Sequence, residues 1–198
     1  MVPILISFFV WKPAYMRVGA NFFLSNWGFT GRSEVPREGL SGGLVLGWTQ
    51  DWEVSIIFQN RHFIHTKITN LQGEVFTVTF LYGHPNLAQR HLIWNELQTF
   101  GSQIHNKWVC VGDFNLVLRE LDKLTFKANT IASNLQLHQT LSNLCLIPID
   151  LKGLPFTWMN KRQGDEFCYG KIGLGVCKYK MDGTLPPQCG PKPPHHQI

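Results

Sequence analysis

The residues best suited to chemistry stand in two short segments, Tyr82-Gly-His-Pro85 and Val109-Cys-Val-Gly-Asp-Phe-Asn115. The second is a hydrophobic run that stops at a glycine and then delivers an aspartate and an asparagine two residues apart. At the end of a strand, residues two apart point the same way. A carboxylate at Asp113 beside an amide at Asn115 would orient a water for attack and hold a phosphate oxygen or a metal-bound ligand. The same pair also suits a plain turn, with Asp113 as a cap and Asn115 making an Asx hydrogen bond. Tyr82 and His84 follow a second β-rich run. A phenol donates a hydrogen bond to a phosphate oxygen, and His84 does so when protonated or through its neutral N–H. His84 is equally an ordinary turn residue before proline.

Those segments need strands to deliver them. Gly42 to Trp48 is a short apolar run bounded by glycines, Val54–Phe58 and Phe63–Ile68 are β-rich, and Asn70-Leu-Gln-Gly73 has the composition of a hairpin turn into Glu74–Tyr82. An antiparallel meander is the simplest arrangement. Along the last run Val75, Thr77, Thr79 and Leu81 alternate with Phe76, Val78, Phe80 and Tyr82, so both faces are largely apolar and the strand belongs inside a sheet covered on both sides. Leu87, Ile93, Trp94, Leu97 and Phe100 fall at helical spacing, with Arg90, Asn95 and Gln98 on the wet side. Lys107–Gly112 reads as a buried strand. Leu135, Leu137, Leu141 and Leu144 mark a second helix within residues 133–146, and Phe156-Thr-Trp158 a further short strand. The class is mixed α and β.

Bulk properties set the outer limits. The chain has 198 residues, 44% of them hydrophobic and 16% charged, enough for one domain with a core and unlike a disordered chain. A formal charge of +5 favours a polyanionic partner without identifying one. Five cysteines with no Cys-x-x-Cys pair argue against a disulfide framework and for free thiols. A zinc site from Cys168, Cys177, Cys189, His195 and His196 is disfavoured by its spacing. The apolar run from Val2 to Val10 is far shorter than the roughly 20 residues that cross a bilayer, and reads as a buried strand. Beyond Gly164 glycine, proline and lysine accumulate and apolar periodicity ends, which predicts a poorly ordered tail.

Four segments together carry a family resemblance. Ser41-Gly-Gly-Leu-Val-Leu-Gly-Trp48, Phe80-Leu-Tyr-Gly-His-Pro85, Lys107-Trp-Val-Cys-Val-Gly-Asp-Phe-Asn115 and Gly153-Leu-Pro-Phe-Thr-Trp-Met-Asn-Lys-Arg162 stand in the order seen in plant LINE-type (non-LTR) retrotransposon endonucleases. Over roughly residues 28–164 the chain resembles this branch of the endonuclease/exonuclease/phosphatase superfamily. The resemblance implies a DNase I-like four-layer α/β/β/α sandwich of two mixed sheets, with helices outside. It also implies a Mg²⁺-dependent phosphodiesterase site acting on DNA, with no membrane and no obligate protein partner. By motif, Asp113 would be the water-orienting carboxylate, Asn115 its partner near the phosphate, and Tyr82 the phosphate-facing tyrosine. His84 takes a variable position in the same loop, and Trp158 is an aromatic wall residue or simply core. Asp113 and Asn115 are also the available candidates for metal ligation.

The chain departs from the family pattern at both ends. Residues 1–27 are divergent and contain no Asp or Glu, so the glutamate that anchors Mg²⁺ in the family has no counterpart. Glu34 and Glu38 fall where the family has no metal ligand. The closing Ser-Asp-His is absent, and residues 165–198 leave the pattern altogether. Removing members of a catalytic set that act as a unit costs several powers of ten in rate. The expectation is a truncated or degenerate, catalytically impaired DNA endonuclease. The alternatives are a non-catalytic nucleic-acid-binding module, using Arg61, His62, Lys67, Arg90 and His91, or a phosphomonoesterase of the same superfamily. A nuclear location would follow from the family's chemistry, but there is no clustered basic signal to assign it.

Overall fold

Stretches rich in β-branched and aromatic residues, punctuated by Asn and Gly, become the strands of this chain. The computed structural model describes residues 6–11, 28–36, 43–117, 123–125, 135–149, 158–159, 168–170 and 173–178. Strands β1 (Ile6–Trp11), β2 (Gly31–Val35) and β3 (Gly43–Trp48) form one sheet in the order β1-β3-β2. The chain then crosses to a second sheet through β4 (Trp52–Gln59), β5 (Phe63–Asn70) and β6 (Val75–Tyr82). A 3₁₀ turn at Leu87–Gln89 leads into helix α1 (Arg90–Gly101), followed by β7 (Trp108–Asp113), β8 (Lys123–Thr125) and helix α2 (Leu135–Asn143). Four short strands complete the described elements: β9 (Ile147–Pro148), β10 (Trp158–Met159), β11 (Cys168–Gly170) and β12 (Gly173–Cys177). The larger sheet has the order β4-β5-β6-β7-β12-β9, and β10, β11 and β8 make a third, small one.

Two asparagines set the tight turns of the larger sheet. The Asn60 side-chain oxygen accepts the N–H groups of His62 and Phe63, and that of Asn70 accepts those of Gln72 and Glu74. Gly73, at φ 78°, takes the left-handed position in the second turn. Strands β4, β5 and β6 are therefore antiparallel neighbours. Between β6 and β7 the intervening helix α1 carries the chain back, so these two strands run parallel, as a crossover connection requires.

Each face of the larger sheet is covered. On one, Phe63, Leu81, Trp108 and Cys110 pack with Ile93, Trp94 and Leu97 of α1 and Leu137 and Leu141 of α2. On the other, Ile64, Ile68, Phe80 and Tyr82 pack with Val35, Leu44 and Leu46 of the smaller sheet. The alternation read along β6 is thus the one that forms, with Leu81 on the helix side and Phe80 and Tyr82 between the sheets. Fully burying a Leu or Ile contributes roughly 1.5–3 kcal/mol, so these two clusters hold the stacked layers together.

Several expectations change. The meander is interrupted between β3 and β4, because β3 pairs with β1 and β2 in the other sheet. Strand β2, Gly-Arg-Ser-Glu-Val, has little intrinsic strand character and forms against the open edge of β3, where pairing outweighs propensity. The poorly ordered tail expected from residue 165 fails over β11 and β12. Gly173–Cys177 has two glycines, yet it pairs antiparallel with β7 from Asp113 to Val109 and extends the larger sheet. Leu87 and Leu135, assigned to apolar helix faces, are exposed at the helix starts. Cys110 and Cys177 are free thiols as expected, whereas Cys145 is disulfide-bonded. Residues 1–5, with the start of the apolar N-terminal run, and Phe156 lie outside the described residues, as do the side chain of Trp158 and the tail after residue 178.

Candidate functional site

Parallel pairing of β6 with β7 puts Tyr82 directly beside Asp113 at one rim of the larger sheet. Phe80 and Tyr82 on one strand and Val111 on the other belong to the cluster between the sheets, and alternation places Asp113 on that same face. The close approach needs two glycines. A Cβ at Gly112, which has φ 148°, would collide with the Leu81 carbonyl, and one at Gly83 would collide with the Phe114 carbonyl. Gly83 N–H donates to the Asp113 carbonyl at 2.7 Å, so the two chain segments remain joined past the ends of their strands.

Asn115 closes the arrangement. Its backbone is left-handed, φ 53°, a conformation asparagine tolerates better than most residues. Its N–H donates to Asp113 Oδ1 at 2.8 Å, the Asx turn that the bland reading of this motif called for. Its side-chain Nδ2 donates to the Gly83 carbonyl at 2.5 Å, binding the β7 exit to the β6 exit. The turn that fixes Asn115 also aims its side chain across the rim.

Electrostatics follow from burial at the rim. Tyr82 is 6% exposed. Burial pushes its phenol up; a hydrogen bond with the Asn115 side chain opposes this, and the Asp113 charge reinforces it. The phenol stays protonated and remains a hydrogen-bond donor. Arg90 is half-buried, and burial pulls its guanidinium down while the Asp113 carboxylate acts to hold it charged. Its Nε donates to the His84 carbonyl at 3.0 Å and its Nη2 to the Pro85 carbonyl at 3.3 Å, pinning the loop that follows Tyr82.

Two of the residues gathered at the rim lie outside the four motifs. Arg90 was assigned to the wet face of α1, yet it sits in the first turn and folds back onto the loop that leads into the helix. In the sequence His62 belongs only to the basic surface of the nucleic-acid-binding alternative. It is buried, its Nδ1 lies 2.9 Å from the Tyr82 carbonyl oxygen, and its ring stacks at 6.5 Å on that of Tyr82. The usable signal was the pairing of Phe63 with Leu81, which puts His62 next to Tyr82. His84 joins the rim but serves the turn: its Nδ1 lies 3.0 Å from the Asn86 N–H, which donates to it, and 3.3 Å from the Asn86 carbonyl oxygen. The basic residues do not form a single patch. Lys67 is five residues along β5 from His62, about 17 Å away at strand rise, and His91 Nδ1 lies against the Ala88 carbonyl on the outside of α1.

The described donors can be tested against a divalent cation. An ion of the magnesium kind takes near-octahedral oxygen ligation, usually with one or two carboxylates. Among the described residues the rim has one carboxylate, Asp113, with an oxygen already engaged by Asn115 N–H and a guanidinium charge nearby. Among the described residues no group of three or more His, Cys, Asp or Glu converges on a common point. These residues do not by themselves fit such an ion.

No family model matches the chain and no curated protein matches it. Solved structures do. The endonuclease domain of TRAS1, a telomere-specific non-LTR retrotransposon, superposes with a TM-score of 0.58 at 14% identity, over 74% of this chain and 66% of that one. The 3′-5′ exonuclease NExo from Neisseria meningitidis gives 0.54 at 15% identity, over 88% and 75%. An AP endonuclease from Archaeoglobus fulgidus gives 0.56 at 8% identity, over 87% of each. The chain has the DNase I-like fold shared by these nucleases, an α+β sandwich with two sheets face to face.

Proposed function

We propose that the rim formed by Tyr82, Asp113, Asn115 and Arg90 is the phosphate-facing half of a phosphodiesterase site, the remnant of a Mg²⁺-dependent DNA endonuclease of the LINE retrotransposon type. It holds the backbone of DNA with negligible turnover. The observation that carries this reading is the register of Tyr82 with Asp113 on adjacent parallel strands, joined by Asn115 across the gap. A protonated phenol and a guanidinium on one rim offer donors to the oxygens of a phosphodiester, and the Asp113 carboxylate is the group able to accept a proton from water. Likeness to an endonuclease domain and an exonuclease supports nucleic acid as the ligand class. Among the described residues no helix is long and apolar enough to cross a membrane.

Weak turnover follows from the donor set. One carboxylate beside a guanidinium is a poor anchor for a hard divalent ion, and among the described residues no group of three or more His, Cys, Asp or Glu is placed to hold one. The chain should therefore retain plasmid DNA at low salt, lose it steeply as salt rises, and leave it un-nicked in Mg²⁺. Asn115→Ala should weaken retention severalfold, because it removes the side-chain tie that holds the β7 exit to the β6 exit and so sets the rim. Nicking in Mg²⁺ that disappears in Asp113→Ala would show a working nuclease and overturn the impaired-site reading. Absence of retention at low salt would remove the phosphate site itself.

A further inference from the structure

We propose that a cavity beside the rim receives a nucleobase, that of the nucleotide neighbouring the phosphate held at Tyr82 and Asn115; the inference rests on the phosphate reading above. The cavity has a volume of about 190 Å³ and lies between the β4–β5 turn, the loop after Tyr82 and the outer face of α1. That is below the roughly 300–1,000 Å³ of whole drug-sized sites, and it suits a single heterocycle.

Besides Arg61 and Gln89, its walls are of three kinds. The imidazoles of His62 and His84, with centroids 5.5 Å apart and inclined by 40°, supply flat aromatic surface. Ile93 and Leu92 supply an apolar floor, and Leu92 is 55% exposed although it is a leucine on a helix. At the polar edge stands Glu96, whose Oε1 accepts from Asn60 Nδ2 at 2.6 Å, while Asn60 Oδ1 is engaged by the N–H groups of His62 and Phe63. The carboxylate is thus held in place, with its second oxygen as a further acceptor.

The charged lining is balanced, Arg61 against Glu96, so shape and hydrogen bonding decide for a base. The Glu96 carboxylate accepts hydrogen bonds from the amino and imide N–H groups of a heterocycle, which a phosphate diester does not offer. Aromatic faces and an apolar floor suit the flat, uncharged part of a nucleotide, since every base has a π-face. Position agrees with chemistry. His62 adjoins Tyr82, and Tyr82 pairs with Asp113, so the cavity begins two strand spacings from the carboxylate, about 10 Å away. His84 belongs to both the cavity wall and the rim loop, which makes the two continuous.

The test uses the full chain and two labelled probes, a short single-stranded deoxyoligonucleotide and a strand of equal length built from abasic residues. Fluorescence anisotropy at low salt gives both affinities, and methyl NMR locates the base. The base-bearing strand should bind at least about fivefold tighter, and it alone should shift the Leu92 and Ile93 methyl resonances through its ring current. Equal affinity for both strands overturns the base pocket and leaves the rim reading standing. So do unmoved Leu92 and Ile93 methyls in a chain that holds the strand. Failure of both strands to bind overturns the rim reading and the pocket together.

Discussion

Strands β5, β6 and β7 carry two polar clusters, one in the middle of the sheet and one at its rim, and they behave in opposite ways. The inner cluster is a single row of register partners, His65, Thr79 and Cys110. Thr79 Oγ1 accepts from Trp108 Nε1 at 2.9 Å and lies 2.8 Å from His65 Nδ1, and every member is at most 6% exposed. Burial lowers His65 to a pKa of about 4 and raises the Cys110 thiol, so both are neutral near pH 7. The rim cluster begins three residues farther along β6, roughly 10 Å away. There Asp113 and Arg90 are half-buried, and the Asp113 carboxylate acts to hold the guanidinium charged against burial. Histidine, hydroxyl and thiol in a closed layer become satisfied core, whereas at the strand ends Tyr82 and His62 are buried beside a carboxylate and a guanidinium that keep partial exposure.

This contrast can be broken most directly at Trp108. Trp108→Ala should cost about 3–5 kcal/mol, the range for an aromatic truncated in a core, and would also leave Thr79 without its donor. Urea denaturation measures it, and a loss below about 1 kcal/mol would mean that the inner row does not hold the layers together. A smaller effect is expected from pH. His65 has a folded pKa of about 4 against 6.5 when exposed, so the unfolded chain binds more protons between these values. Stability should therefore be full above pH 6.5 and decline as pH falls toward 4, with no further contribution from this group below that. His65→Asn should flatten that part of the profile, and a wild-type profile already flat from about pH 7 to 4 would contradict the closed character of the row. The smallest change in stability belongs to the rim. Tyr82→Phe should cost no more than about 1 kcal/mol, since the ring stays packed and a single hydrogen bond is lost. Its DNA retention should nevertheless fall severalfold, so a variant that loses stability but not DNA would assign Tyr82 to the core.

Much of this was legible because it is local. The two-residue alternation along β6 announced a strand covered on both faces, and the packing of Leu81 against the helices and Tyr82 between the sheets follows it. Gly112-Asp113-Phe114-Asn115 announced a turn, and the Asn115 N–H on Asp113 is that turn. The helical spacing of Ile93, Trp94 and Leu97 found the buried face of α1 but misplaced Arg90, since a periodicity assigns a face to a residue and not the direction in which a long side chain folds back.

The sequence by itself determined the central strands, the two helices, the covered faces and the chemical types at two strand ends. Tertiary structure alone decided that those ends meet, that β12 joins the sheet despite its glycines, and that His62 and Arg90 belong to the rim. The reason is physical. Period and turn chemistry act over a few residues, but the pairing of Tyr82 with Asp113 is fixed by the layer of side chains that α1 and the smaller sheet must bury on either side of β6 and β7.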